Sequence, residues 1–71
     1  MIERFTNAEL AKCARREVRH RLNIYPRLIE SGRMREDVAK RGIDMMTAIA
    51  EFYENRAERD AAMSDLFGGK P

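Results

Sequence analysis

Apolar residues recur at helical spacing in two stretches of this chain, and a single corner, Tyr25-Pro26-Arg27-Leu28-Ile29-Glu30-Ser31-Gly32-Arg33-Met34, separates them. Advancing about 100° per residue, Leu10, Ala14, Val18, Leu22, Tyr25, Leu28 and Ile29 share one face of the first stretch. Met34, Val38, Met45, Met46, Ile49, Phe52 and Tyr53 share a face of the second, with Gly42 in the same stripe. Two amphipathic helices joined by a short connection fold as an antiparallel hairpin. The pattern therefore predicts an all-α chain with helix one over about 6–31 and helix two over about 35–60.

The ends of these segments carry their own signals. Thr6-Asn7-Ala8-Glu9 has the form of a capping box. Phe5 and Leu10 bracket it at the spacing of a hydrophobic staple. A helical residue at Pro26 loses one backbone hydrogen bond and clashes with the carbonyl four residues earlier, so a kink or break is expected at 25–26. Gly32 accepts the left-handed conformation that ends many helices. Helix two opens with Glu36 and Asp37, whose carboxylates meet the positive end of the helix dipole, although Arg35 is a poor cap. Residues 1–63 form one hairpin domain in this reading. Residues 64–71 form a flexible tail in which Leu66 and Phe67 fold back on the hairpin ends, the favoured reading, or dock on a partner.

With 71 residues, one cysteine and one histidine, the chain has no disulfide to staple it and no Cys/His metal-site spacing. A lone hairpin leaves much of both apolar faces wet, and a domain this small buries a limited share of its surface. Self-association into a helical bundle, with a homodimer favoured over higher oligomers, is the expected remedy. The residues assigned to that contact are Leu10, Val18, Leu22, Tyr25, Val38, Met45, Met46, Ile49, Phe52 and Tyr53. Two ion-pair candidates fall on the inner side, Glu17 with Arg21 and Arg56 with Asp60. Each is spaced to pair on a helix and to mark a packing register.

Charge divides along the chain. Residues 1–41 hold 11 Lys/Arg against 6 Asp/Glu, net +5, and residues 42–71 hold 3 against 6, net −3. Lys12, Arg16, Arg19, Asn23 and Arg27 line the outer face of helix one, with Arg15 and His20 at its margins. Asp44, Glu51, Glu54 and Glu58, with Thr47 among them, line that of helix two. The bland reading of both stripes is a solvated helix face. Opposite stripes on two arms otherwise suit contact with another protein more than uniform wrapping of DNA. The alternative is a nucleic-acid-binding module in which Lys12, Arg15, Arg16, Arg19, Arg27, Arg33 and Arg35 meet phosphates. No aromatic residues interleave the basic stripe, and no helix-turn-helix triad is present.

No catalytic constellation stands out, and the chain is read as a non-enzyme without cofactor or metal. Glu17-Val18-Arg19-His20 matches the Glu-x-x-His spacing of di-iron bundles, but only once, and arginines flank the histidine. Cys13 reads as a small packing residue. Met1–Phe5 has no signal-peptide run and no segment approaches a membrane span, so a cytoplasmic setting without membrane contact is expected.

Cys13-Ala14-Arg15-Arg16-Glu17, the corner from Tyr25 to Met34, and Met46-Thr47-Ala48-Ile49-Ala50-Glu51 together resemble a group of small uncharacterised proteins encoded by tailed phages and prophages. Their pattern is an Arg-rich helix, Tyr-Pro-Arg-aromatic-Val, Gly-Arg-Met, and a helix ending in Met-x-Ala-Ile. The resemblance covers roughly residues 8–53. It departs at Leu28, where the pattern has Trp, and at Arg35, where a Ser or Thr cap would follow the methionine. It implies a phage or prophage origin and a bacterial host cytoplasm, while the protein partner that the two charged faces suit stays unidentified. It carries no catalytic residues.

Overall fold

The computed structural model describes residues 4–64. It contains two helices in antiparallel contact, α1 over Asn7–Glu30 and α2 over Glu36–Met63. The chain is an all-α hairpin. Its radius of gyration, 16.5 Å, exceeds the ~11 Å of a globular domain of this length, so there is one helix–helix seam in place of an enclosed core.

Thr6 starts α1 with a reciprocal capping box. Its hydroxyl accepts from the Glu9 backbone N–H at 3.0 Å, and Glu9 Oε1 accepts from the Thr6 N–H at 2.9 Å. The helix runs unbroken through Pro26, at the cost of the backbone donor that the Leu22 carbonyl would otherwise receive. The end of α1 is a Schellman motif. Gly32, at φ +79°, donates its N–H to the Ile29 carbonyl at 3.0 Å, and Arg33 donates to the Leu28 carbonyl at 2.9 Å. Those bonds fold the chain back within five residues. Arg35 enters α2 in extended conformation without a side-chain cap bond, while Glu36 and Asp37 place carboxylates in its first turn. The tail assignments at Leu66 and Phe67 lie outside the described residues.

The seam is made of small residues. Ala11, Ala14, Val18, Ala39 and Ala50 are its buried side chains, with Ala50 at 0% exposure, and Met46 packs against Ala14, Val18 and Ala50. Alanines let two helix backbones approach closely, and that closeness excludes larger side chains from the centre of the contact. The consequence departs from the periodicity reading. Leu22, grouped above with Ala14 and Val18, is 53% exposed, and Val38, Met45, Ile49 and Phe52 are 45 to 54% exposed. The chain uses its alanines to close on itself and leaves seven large apolar residues of the described ones exposed.

Candidate interaction surfaces

Each helix turns one sector toward the seam, which leaves the hairpin with two sides. Arg15 and Glu54 define the first. The Arg15 guanidinium forks onto Glu54, Nε to Oε2 at 2.9 Å and Nη2 to Oε1 at 2.7 Å. This hydrogen bonding holds the Glu54 carboxyl below its ordinary range and raises the Arg15 guanidinium. The basic stripe of α1 and the acidic stripe of α2 therefore meet at one point, and Arg15 is committed to the fold. Lys12, Arg16, Arg19 and Arg27 stay exposed and form no ion pair with a described residue. Lys12, Arg15, Arg16 and Arg19 line a shallow open groove with Ala11 and Glu54.

The remaining charged candidates are spread out. Arg33 is exposed in the corner, and Arg35 pairs locally with Asp37 at 3.0 Å. Asp44 lies 3.6 Å from Lys40 on its own helix. The Thr47 hydroxyl donates to the Ile43 carbonyl at 2.8 Å, a bond internal to α2. Glu51 and Glu58 are exposed.

The inner polar pairs behave differently from each other. Glu17 accepts from Arg21 Nε at 3.1 Å, and Arg21 Nη1 also donates to the Gly42 carbonyl across the seam at 2.9 Å. One guanidinium thus ties a turn of α1 to the backbone of α2. The second pair takes other partners. Arg56 lies over the Phe52 ring, 5.4 Å from its centroid, and Asp60 accepts from Asn7 Nδ2 at 2.9 Å. The reason is geometric: Asp60 faces the start of α1, and an aromatic face one turn away attracts the Arg56 cation.

The residues assigned to self-association divide in two. Val18 is spent in the seam at 5% exposure and has no surface left for a second chain. Leu10, Tyr25, Met46 and Tyr53 are half-buried around it. Val38, Met45, Ile49 and Phe52 are free. With Met63 they are five of the seven exposed large hydrophobics among the described residues, the others being Phe5 and Leu22. On a wheel all five fall within about 60° of α2. The spacing holds a signal that periodicity alone did not separate. Val38, Met45 and Phe52 are seven apart, as are Gly42, Ile49, Arg56 and Met63.

His20 and Cys13 are exposed on α1, and Glu17 of the Glu-x-x-His run is engaged by Arg21. Among the described residues no three His, Cys, Asp or Glu side chains gather where a metal ion could be held. No described helix is long and apolar enough to cross a membrane. No protein-family model, no curated protein and no solved structure matches this chain.

Proposed function

We propose that the chain is a small, non-catalytic accessory protein of phage or prophage type. It acts in the cytoplasm of a bacterial host by helix-mediated protein–protein interaction and self-association. One observation carries this reading: of the seven exposed large apolar side chains among the described residues, five gather on one face of α2. Several such residues in one stripe leave a few hundred Å² of apolar surface, the size at which a patch marks an interaction site. The bond lost at Pro26 supports a bend in α1 that sets the angle of the last turn before the corner. Sedimentation equilibrium of the full chain at micromolar concentration tests the reading. A concentration-dependent dimer is expected, and a stable folded monomer overturns self-association.

A second reading rests on the free cations of α1. Lys12, Arg16, Arg19 and Arg27 project from the side away from α2 and span about 22 Å along the helix. A row of unpaired cations of that length is able to follow phosphates. Titrating labelled duplex and single-stranded DNA at two salt concentrations decides it. Binding that weakens steeply with salt and vanishes in Arg16→Glu/Arg19→Glu supports nucleic-acid contact. No binding at low salt removes it.

A further inference from the structure

We infer that the outer face of α1 contacts the phosphates of a nucleic-acid duplex, and that Glu54 withholds one cation, Arg15, from that contact. This rests on the second reading proposed above and adds the class of partner and the residue that limits its hold.

The first ground is the face itself. Lys12, Arg16, Arg19, Asn23 and Arg27 fall within about 80° of α1, centred about 150° around the helix from the seam residues Ala11, Ala14 and Val18. All five are exposed, and the four cations form no ion pair with a described residue. Glu9 and Glu30 bound the row at its two ends. No large apolar side chain falls on the face, and exposed Leu22 lies about 100° from its centre. A helix lying in a membrane surface needs a broad apolar face beside its cations. The chemistry of this one favours a polyanion in water, and a duplex presents one charge per about 1.7 Å of its axis.

The second ground separates duplex from single strand. Proteins hold single strands by stacking bases on aromatic rings. The one aromatic residue of α1 is Tyr25, which is half-buried and packed near Gly42 of α2, away from the cations. Phosphate rows of a duplex need no ring, only cations spaced along a line. The steps from Lys12 to Arg16, Arg19, Asn23 and Arg27 supply a polar side chain every 4.5–6 Å, roughly, along the axis.

The third ground is the groove where the two arms meet. Lys12, Arg15, Arg16 and Arg19 line it with buried Ala11, and Glu54 is its one acid among the described residues. Glu54 accepts both bonds of the Arg15 fork, at 2.9 and 2.7 Å. The two side chains remain 36% and 41% exposed, so a polyanion in the groove meets them as a pair. An Arg15 that turned to a phosphate would leave the Glu54 carboxylate uncompensated beside the same strand. Whichever partner Arg15 takes, the pair brings no net charge and releases no counterion. The natural chain thus engages four cations, Lys12, Arg16, Arg19 and Arg27, and a chain with a neutral residue at 54 engages Arg15 as well.

Fluorescence anisotropy of a labelled mixed-sequence DNA duplex, between about 50 and 200 mM salt, counts the engaged cations through the slope of affinity against salt. Over that range the natural chain should lose affinity about 150-fold, Glu54→Gln about 500-fold and Arg27→Gln about 40-fold. Arg15→Gln/Glu54→Gln should return to the natural slope. Glu36→Gln, which removes the same charge about 27 Å away along α2, should keep it. A single strand of equal length should bind more weakly than the duplex, and circular dichroism checks that each variant stays helical. An unchanged slope in Glu54→Gln, an equal gain in Glu36→Gln, or a gain kept in Arg15→Gln/Glu54→Gln would overturn the role of Glu54 and leave nucleic-acid contact standing. Tighter binding to the single strand, or a slope untouched by Arg27→Gln, would overturn a duplex laid along the face. No binding to either strand form at the lowest salt, or capture by anionic phospholipid vesicles alone, would overturn both the inference and the reading beneath it.

Discussion

Arg15 and Glu54, thirty-nine residues apart, form a two-bond fork across the hairpin, with Nε–Oε2 at 2.9 Å and Nη2–Oε1 at 2.7 Å. The fork draws one residue from the basic arm and one from the acidic arm, and fixes how far α2 is slid along α1. Because both side chains are partly solvated, their contribution to stability is modest, and its form shows best in pH dependence.

Arg15 holds the Glu54 carboxyl below its ordinary range in the folded chain. A lowered folded-state pKa contributes stability that is fully present above the ordinary glutamate range and is lost as pH falls through it. Urea midpoints at a series of pH values should therefore fall on the acid side more steeply for the natural chain than for Glu54→Gln. Parallel curves for the two proteins would contradict this role of the pair.

Gly42 lies inside α2, where glycine costs about 1 kcal/mol relative to alanine. An added Cβ would meet Tyr25 Cε2 at 3.6 Å and Arg21 Nη1 at 3.7 Å, both ordinary contact distances. Gly42→Ala should accordingly raise stability by about 0.5–1 kcal/mol at fixed protein concentration. Chemical denaturation showing a loss of that size would mean that the Arg21 bond to the Gly42 carbonyl tolerates no crowding.

Gly32 presents the opposite case. Space is open around it, but its φ is +79°, which side chains other than glycine rarely adopt. Gly32→Ala should cost about 1 kcal/mol through backbone strain alone. An unchanged denaturation midpoint would show that the Schellman turn does not limit the hairpin.

Much of the hairpin is written in local chemistry. Thr6 and Glu9 mark a cap, Gly32 marks a left-handed turn, and Glu36–Asp37 mark a helix start, because each signal acts within one turn of backbone. What periodicity could not separate is which apolar residues close the hairpin and which stay outside. Val38 and Ala39 are neighbours in sequence, yet one is exposed and the other buried. Ranking residues by hydrophobicity favours Val, Met, Ile and Phe for the interior, whereas close helix contact favours Ala. The cross-chain partners were hidden for a related reason. Arg15 and Glu54 lie about twenty residues either side of Arg33 in the turn, so hairpin register pairs them, but a stripe-by-stripe reading assigns each to its own helix. Arg21 reaching the Gly42 carbonyl has no side-chain signature on the α2 side at all.

The central claim is that the α2 stripe, and no other exposed apolar residue, carries assembly. Sedimentation equilibrium of Ile49→Glu beside Leu22→Glu, with helix content followed by circular dichroism, tests it most directly. Ile49 lies in the stripe and Leu22 on the other side of the hairpin, and both are exposed. Ile49→Glu should shift the chain to monomer or weaken the dimer at least tenfold, while Leu22→Glu sediments as the natural chain does. A dimer untouched by Ile49→Glu, or one lost in Leu22→Glu, would contradict the account.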